Sequence, residues 1–303
     1  MDKVIFFHMN QLGDLLFSLP VLKAVKNEFN SKTYSVVKSD LAPLLTSSNL
    51  ADEIISKDEN FVKIIRKEKF NKAILFSESP SSLISAFFSG VKERIGFNTA
   101  SLSFLLTKKV QRTGVPSLFN NRKLGIASGL QLIRQDYTNC LNIPKENLNN
   151  VQKWFESNKL NVSKTIAISI NASRKRKDKC LPENKWIEVV NILSSKGFTC
   201  IFLGAHWEKE NLTKVSKQCR TETKLFISKN ILDSAAFLKI SSLFIGIDSG
   251  AMHLAASVGT KCIAIFGYTD PMQIGPMPFE RHVIIKNNNI DQITCEDIVS
   301  KIL

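Results

Sequence analysis

The residues of this chain that could do chemistry gather in short stretches at strand-to-helix turns. The fullest is residues 243–276, LFIGIDSGAMHLAASVGTKCIAIFGYTDPMQIGP. It reads as an apolar run, a turn, a helix, an apolar run and a second turn. Residues 243–247 suit a buried strand, and Asp248-Ser249-Gly250 is turn chemistry in which Asp or Ser can cap a helix. Residues 251–258 form a small-residue helix that Gly259 can end. The N–H groups of Ser249, Gly250 and Ala251 at the start of that helix, with the helix dipole behind them, favour an anion such as phosphate. His253 falls in the first turn, facing whatever binds.

Other stretches offer matching groups. In MNQLGDLLFSLP, Gly13 allows a tight turn and close approach of a ligand. Asp14 either caps a helix starting at residue 15 or serves as a general base, and the two roles are compatible. The loop NASRKRKDKCLP follows one apolar run and precedes a helix. Ser173 brings a hydroxyl and a backbone N–H, and Lys179 a point charge suited to phosphate. Alone, that loop reads equally well as a solvated basic segment. With the helix after Asp248 it reads as a shared diphosphate site. No G-x-x-x-x-G-K-[ST] occurs, which excludes a P-loop nucleotidase. In GAHWEKE, Glu208 is placed either as a surface helix acid or as an acceptor for ribose hydroxyls, with Trp207 beside it to line an adenine pocket. No His, Cys and carboxylate spacing resembles a metal site. Lys179, the helix N–H groups and His253 would supply the positive character that a leaving diphosphate needs.

The elements that must position these groups alternate strand and helix. Strands are expected at residues 4–8, 34–38, 51–55, 72–76 and 93–97, with helices at 15–29, 60–69, 81–88 and 124–141. A second series starts at residue 165: strands at 165–170, 199–203, 225–227, 243–247, 261–266 and 282–286, with helices between them and a closing helix at 291–303. Alternation of this kind predicts parallel sheets covered on both faces. Two doubly wound α/β domains are expected, 1–155 and 156–303, with a cleft between their strand ends and the last helix free to pack back on the first domain.

The chain has 303 residues, 44% of them hydrophobic, and can bury a sizeable core. A net charge of +14 points to a polyanionic partner: nucleic acid, an anionic membrane surface or a phosphorylated substrate. The plainer reading is the Lys- and Asn-rich usage of an AT-rich genome. Three Trp, three Tyr and no reading module argue against nucleic acid. The six scattered cysteines fit a reducing cytoplasm. The apolar run at residues 4–7 is too short for a signal peptide, and no run reaches the length of a membrane span.

On these residues the chain resembles glycosyltransferase family 9, the heptosyltransferases of lipopolysaccharide core synthesis. LGDLLFSLPVLKAVK is similar to the family's N-terminal signature, and IGIDSGAMHLAASVGTKCIAIFGYTDP to its C-terminal one. ASRKRKDKCLPENKW resembles its phosphate loop and GAHWE its ribose-contacting segment, with Leu181 standing where the family has Trp. The resemblance implies a GT-B fold of two Rossmann-like domains, the first binding acceptor and the second a nucleotide-sugar donor. It implies inverting, metal-independent transfer from ADP-heptose to a phosphorylated, anionic lipopolysaccharide-precursor acceptor, with no cofactor. By position, Asp14 would be the catalytic base and Gly13 part of the acceptor loop. Ser173, Lys179, Ser249, Gly250, Ala251 and His253 would hold the diphosphate, Glu208 the ribose and Asp248 the donor sugar. A monomer is expected, cytoplasmic and docked on the anionic inner leaflet through Lys108, Lys109, Arg112, Arg122 and Lys123. The alternatives are another hexose or N-acetylhexosamine donor, a non-catalytic nucleotide-sugar binder, and a nucleic-acid binder.

Overall fold

A computed structural model describes residues 2–57, 61–172 and 176–303. By its contacts the chain divides into two units, residues 1–142 and 143–303. The first contains β1 (Asp2–Phe7), α1 (Leu12–Glu28), β2 (Ser31–Val37), α2 (Ala42–Ser47), β3 (Glu53–Ser56), α3 (Phe61–Glu68), β4 (Lys72–Leu75), α4 (Pro80–Phe88), β5 (Glu93–Phe97), β6 (Lys108–Val110) and α5 (Ser117–Ala127). The second contains α6 (Lys145–Ser157), β7 (Thr165–Ser169), α7 (Glu183–Ser195), β8 (Thr199–Ala205), α8 (Lys209–Ser216), β9 (Lys224–Ser228), α9 (Ile231–Ile240), β10 (Leu243–Ile247), α10 (Gly250–Ser257), β11 (Cys262–Phe266), α11 (Pro271–Ile274), β12 (Val283–Lys286) and α12 (Cys295–Val299).

Each unit is built on one parallel sheet. The described strands run β3-β2-β1-β4-β5-β6 in the first and β12-β11-β10-β7-β8-β9 in the second. Counted within its own unit, each order is the doubly wound 3-2-1-4-5-6, so each sheet reverses direction beside its first strand. The central strands explain themselves. Val4 to Phe7 in β1, β7 and β11 are buried throughout, as strands covered by helices on both faces must be. Ile5 pairs with Tyr34 on one side and Ala73 on the other, and Gly246 of β10 pairs with Ser169 of β7. Gly246 is needed there. A Cβ would lie 2.9 Å from the Ser169 carbonyl oxygen and 2.6 Å from the Phe244 ring.

Several boundaries differ from the sequence reading. The division falls at Asn142/Ile143, ahead of 155/156, because α6 belongs to the second unit. Trp154 and Phe155 sit against Phe237, which stacks on Phe226 at 4.3 Å. The expected helix at 124–141 ends at Ala127: Gly129 takes φ +104°, which stops the helix. The closing helix shortens to α12, which packs on α7 of its own unit. The six cysteines are free thiols, and burial holds Cys200 up to about 12.

Candidate functional site

In the second unit the strand order reverses between β7 and β10, and the loops leaving these two strands carry the candidate anion site. Lys179, on the loop after β7, donates to Asp248 Oδ2, just after β10. Thr269, on the loop after β11, donates to the same oxygen at 2.9 Å. The pair is largely shielded from water, with 14% and 7% of the two side chains exposed. Asp248 therefore fixes the ammonium beside the start of α10, with N–H donors left on Lys179 for a second acceptor. The same loops are tied again further out. The Tyr268 hydroxyl donates to the Asp178 carboxylate at 2.7 Å, and the Arg176 guanidinium lies 5.6 Å from the Tyr268 ring centre.

Helix α10 starts at Gly250 with Ser249 as its N-cap residue. The Ser249 side chain makes no capping bond, and its hydroxyl is buried without a hydrogen-bond partner. A buried hydroxyl of that kind at a helix N-terminus can donate to an anion. Gly250 and Ala251 follow as the first helical residues. Ser173 lies outside the described residues.

His253 departs from expectation. It is 4% exposed, and burial, with Lys179 and His282 nearby, holds its pKa down to about 4 against the pull of Asp248. It is neutral at physiological pH and adds no positive charge, so the cationic character rests on Lys179. His282 is also buried, its pKa held to about 4 by burial first; its Nδ1 accepts from the Cys262 N–H at 3.1 Å.

Glu208 follows β8, at the position from which ribose would be read. One carboxylate oxygen accepts from the Ala205 N–H at 2.8 Å. Burial raises its pKa, opposed by that bond and by the Asn171 side chain, which comes from the loop after β7. Glu208 thus stands beside the loop that bears Lys179. Trp207 is 44% exposed and lines a cavity of about 840 Å³ with Lys209, Thr213 and Lys214. Leu181, where Trp was the family pattern, is buried in the core.

In the first unit α1 begins at Leu12, so Asp14 lies inside its first turn and is not the cap; Gln11 holds that position. Gly13 is a helical residue, not a turn. The start of α1 adjoins a cavity of about 550 Å³ at this unit's own strand reversal. Its lining comes from the ends of β1 to β4 and the starts of α3 and α4: Met9, Asn10 and Gln11, Lys38, Lys57, Phe61, and Ser77, Glu78, Ser79, Ser81 and Ser82, with Glu78 paired to Arg112. Ser77, Ser79 and Ser82 bond one another at 2.9 to 3.2 Å. Lys57 donates to the His8 carbonyl and to Asn10 Oδ1 at 2.8 Å. Burial first, then Lys38, holds the Lys57 pKa down to about 8. The His8 ring is sandwiched between the Ser35 and Ser18 hydroxyls, each at 3.2 Å, and stacks on Phe76.

The basic cluster expected to face a membrane is largely engaged within its own unit. Arg112 pairs with Glu78, Lys108 donates to the Ala127 carbonyl, Arg122 to Ile133 and Lys123 to Thr113. Among the described residues no group of three His, Cys, Asp or Glu side chains could hold a metal ion, and no helix is long and apolar enough to cross a membrane.

Sequence reasoning missed Thr269, Tyr268, Asn171 and the lysine and serine cavity. The signal for the first two was present in GYTD, directly after an apolar run.

Comparison with known proteins identifies the family and the fold. The family description "Glycosyltransferase family 9 (heptosyltransferase)" matches residues 59–302. Lipopolysaccharide heptosyltransferase 1 of Escherichia coli K12 is 21% identical over 301 residues, 90% of each chain. A glycosyl transferase family 9 structure from Veillonella parvula superposes with a TM-score of 0.88 at 17% identity, covering 99% of this chain and 95% of that one. The E. coli heptosyltransferase WaaC with ADP gives 0.77 at 19% identity, covering 99% and 98%. These likenesses show the fold, two Rossmann-like units as a GT-B protein requires. The family match spans most of the chain, and the chain belongs to glycosyltransferase family 9, the heptosyltransferases.

Proposed function

We propose that this enzyme transfers a heptose from ADP-heptose to a phosphorylated lipopolysaccharide inner-core acceptor, with inversion and without a metal. The observation that carries the reading is the Lys179–Asp248 pair beside the unpartnered Ser249 hydroxyl at the start of α10. That set supplies a fixed cation, a hydroxyl and helix N–H groups to one anion, as a departing diphosphate needs. Glu208 accepts from the ribose hydroxyls and Trp207 lies against the base. Asp248 Oδ2 holds Lys179, and Oδ1 is the oxygen for a donor-sugar hydroxyl.

Asp14 is the base. It takes the proton of the acceptor hydroxyl as the oxygen attacks the anomeric carbon, and the bond from that carbon to the diphosphate breaks on the opposite face. ADP leaves with the electron pair, stabilised by Lys179 and the α10 N–H groups. The acceptor's anionic groups are taken by the cavity of Lys38, Lys57 and the α4 serines. The enzyme acts as a monomer on the cytoplasmic side, in peripheral contact with the inner leaflet. The relatives' names support this reading: lipopolysaccharide heptosyltransferases 1, 2 and 3 of E. coli are among them.

The test is incubation with ADP-heptose and a lipopolysaccharide-precursor acceptor, read by mass spectrometry and by NMR of the new linkage. The expected product gains one heptose in the inverted configuration, and chelator leaves the rate unchanged. Transfer from a UDP-sugar with none from ADP-heptose overturns the donor assignment.

A further inference from the structure

One face of the first unit presents large apolar side chains to solvent. Phe104 is 71% exposed, Phe88 60%, Phe87 42%, Ile84 40% and Ile64 37%. They come from α3, α4 and the turn Ser103–Leu105, and these elements pack side by side. The contacts join them into one patch. The Phe87 and Phe88 rings meet edge to face at 5.3 Å. Arg66 of α3 donates through Nε to the Phe88 carbonyl at 3.2 Å. Arg94 lies over the Phe87 ring at 5.3 Å and donates through Nε to the Leu105 carbonyl at 2.7 Å, next to Phe104.

The rim of the patch is cationic. Lys63, Arg66, Lys67 and Lys92 are exposed on or beside the same elements. The described carboxylates close by are turned to other partners. Glu68 accepts from Lys3 at 2.7 Å and from Tyr34 at 3.1 Å, Glu93 pairs with Lys72 at 3.4 Å, and Glu78 pairs with Arg112. Aromatic and aliphatic side chains ringed by Lys and Arg match the boundary between headgroups and acyl chains of an anionic bilayer. A second copy of the chain fits poorly, because a two-fold contact would set one basic rim against another.

We propose that this face, and not the Lys108 to Lys123 cluster, is the surface by which the protein docks on an anionic lipid bilayer. Phe87, Phe88 and Phe104 enter the headgroup layer, and Lys63, Lys67 and Lys92 lie over anionic headgroups. The inference deepens the peripheral-membrane reading above, and the vesicle measurement that decides it needs neither donor nor acceptor.

The test is co-sedimentation of the whole chain with vesicles of phosphatidylcholine alone and of phosphatidylcholine mixed with phosphatidylglycerol. Wild type is expected on the mixed vesicles only. The double variant Phe88→Ser/Phe104→Ser and the double variant Lys63→Glu/Lys67→Glu are each expected to bind at least about tenfold less. The loss in the charge variant should shrink at high salt and that in the apolar variant should not. Lys108→Glu/Lys109→Glu should bind as wild type. Because the altered side chains are exposed, unchanged thermal unfolding shows that each variant is folded. Wild-type binding by both patch variants overturns the proposal. So does sedimentation of the wild type as a dimer that Phe88→Ser/Phe104→Ser makes monomeric. Transfer to a lipid-free acceptor should be equal in all variants; its absence throughout counts against the enzyme reading and leaves the vesicle result to decide this face.

Discussion

Lys179 and Asp248 are 69 residues apart in sequence, yet ammonium and carboxylate meet where the second sheet reverses its strand order. The pair, with Thr269 on the same carboxylate oxygen, ties together three separate loops, those after β7, β10 and β11.

Lys179→Ala should weaken ADP binding by about ten- to a hundredfold, the effect of losing a charge-assisted bond to phosphate. Calorimetric titration checks this, and an unchanged affinity removes Lys179 from the diphosphate site. The same variant leaves Asp248 buried without its counter-ion, so it should also unfold at lower denaturant, by about 3 kcal/mol in stability.

Asp14→Asn should lower turnover by about a hundred- to ten-thousandfold while donor affinity stays within about twofold. Turnover near wild type would falsify the base assignment. Parallel loss of donor binding would instead indicate a structural role in the first turn of α1.

Acceptor recognition should depend on the charge of Lys57. Its pKa of about 8 means that the free enzyme loses this cation as pH rises through that value. The apparent kcat/KM for the acceptor should therefore fall above about pH 8, while donor KM stays level. Lys57→Met should raise acceptor KM at neutral pH and abolish that limb of the profile. A profile identical in both proteins argues against the cavity as the acceptor's anion site.

Three buried histidines predict acid sensitivity of the fold. Burial first holds His8 down to about 3, and His253 and His282 to about 4, from an ordinary 6.5. The folded values lie below the unfolded one, so neutral imidazole contributes its full stability above pH 6.5 and loses it as pH falls toward 4. In that window each histidine adds a slope of about 1.4 kcal/mol per pH unit, because the unfolded chain takes up the proton first. Urea unfolding between about pH 7 and about pH 5 reads the slope, and His8→Gln should flatten it. A stability that is level across this range contradicts the burial account.

Gly246→Ala should destabilise the second unit by about 1 to 3 kcal/mol, since the new methyl meets the Ser169 carbonyl and the Phe244 ring. The urea midpoint measures it, and an unshifted midpoint means that β7 and β10 separate freely at this point.

Much of this was legible in the sequence for a physical reason. The runs VIFF and CIAIF are apolar on both faces, as strands of a covered parallel sheet are. The small-residue helix after Asp248 was equally plain, and Lys179 and Glu208 follow β7 and β8, the first two strands of the second series, as the alternation indicated. What was not legible is non-local or edge-like. β6 reads KKV, which has no buried periodicity because it is an edge strand with its two lysines exposed. The helix at 124–141 had the right apolar spacing, and only the backbone of Gly129 shows where it stops. Thr269, Asn171 and Lys57 gain their partners from other loops, so their own neighbours in sequence say little. The charge of His253 depends on burial, which its place in the first turn of a helix does not reveal.

The central claim is that the second unit holds an ADP-activated heptose at its strand reversal. Thermal unfolding with ADP-heptose, and with UDP-, GDP- and CMP-sugars at the same concentrations, tests it most directly, because a ligand that binds the folded chain raises the midpoint. The account predicts a clear rise with ADP-heptose that Lys179→Ala reduces. No rise with ADP-heptose beside a clear rise with a UDP-sugar would contradict it.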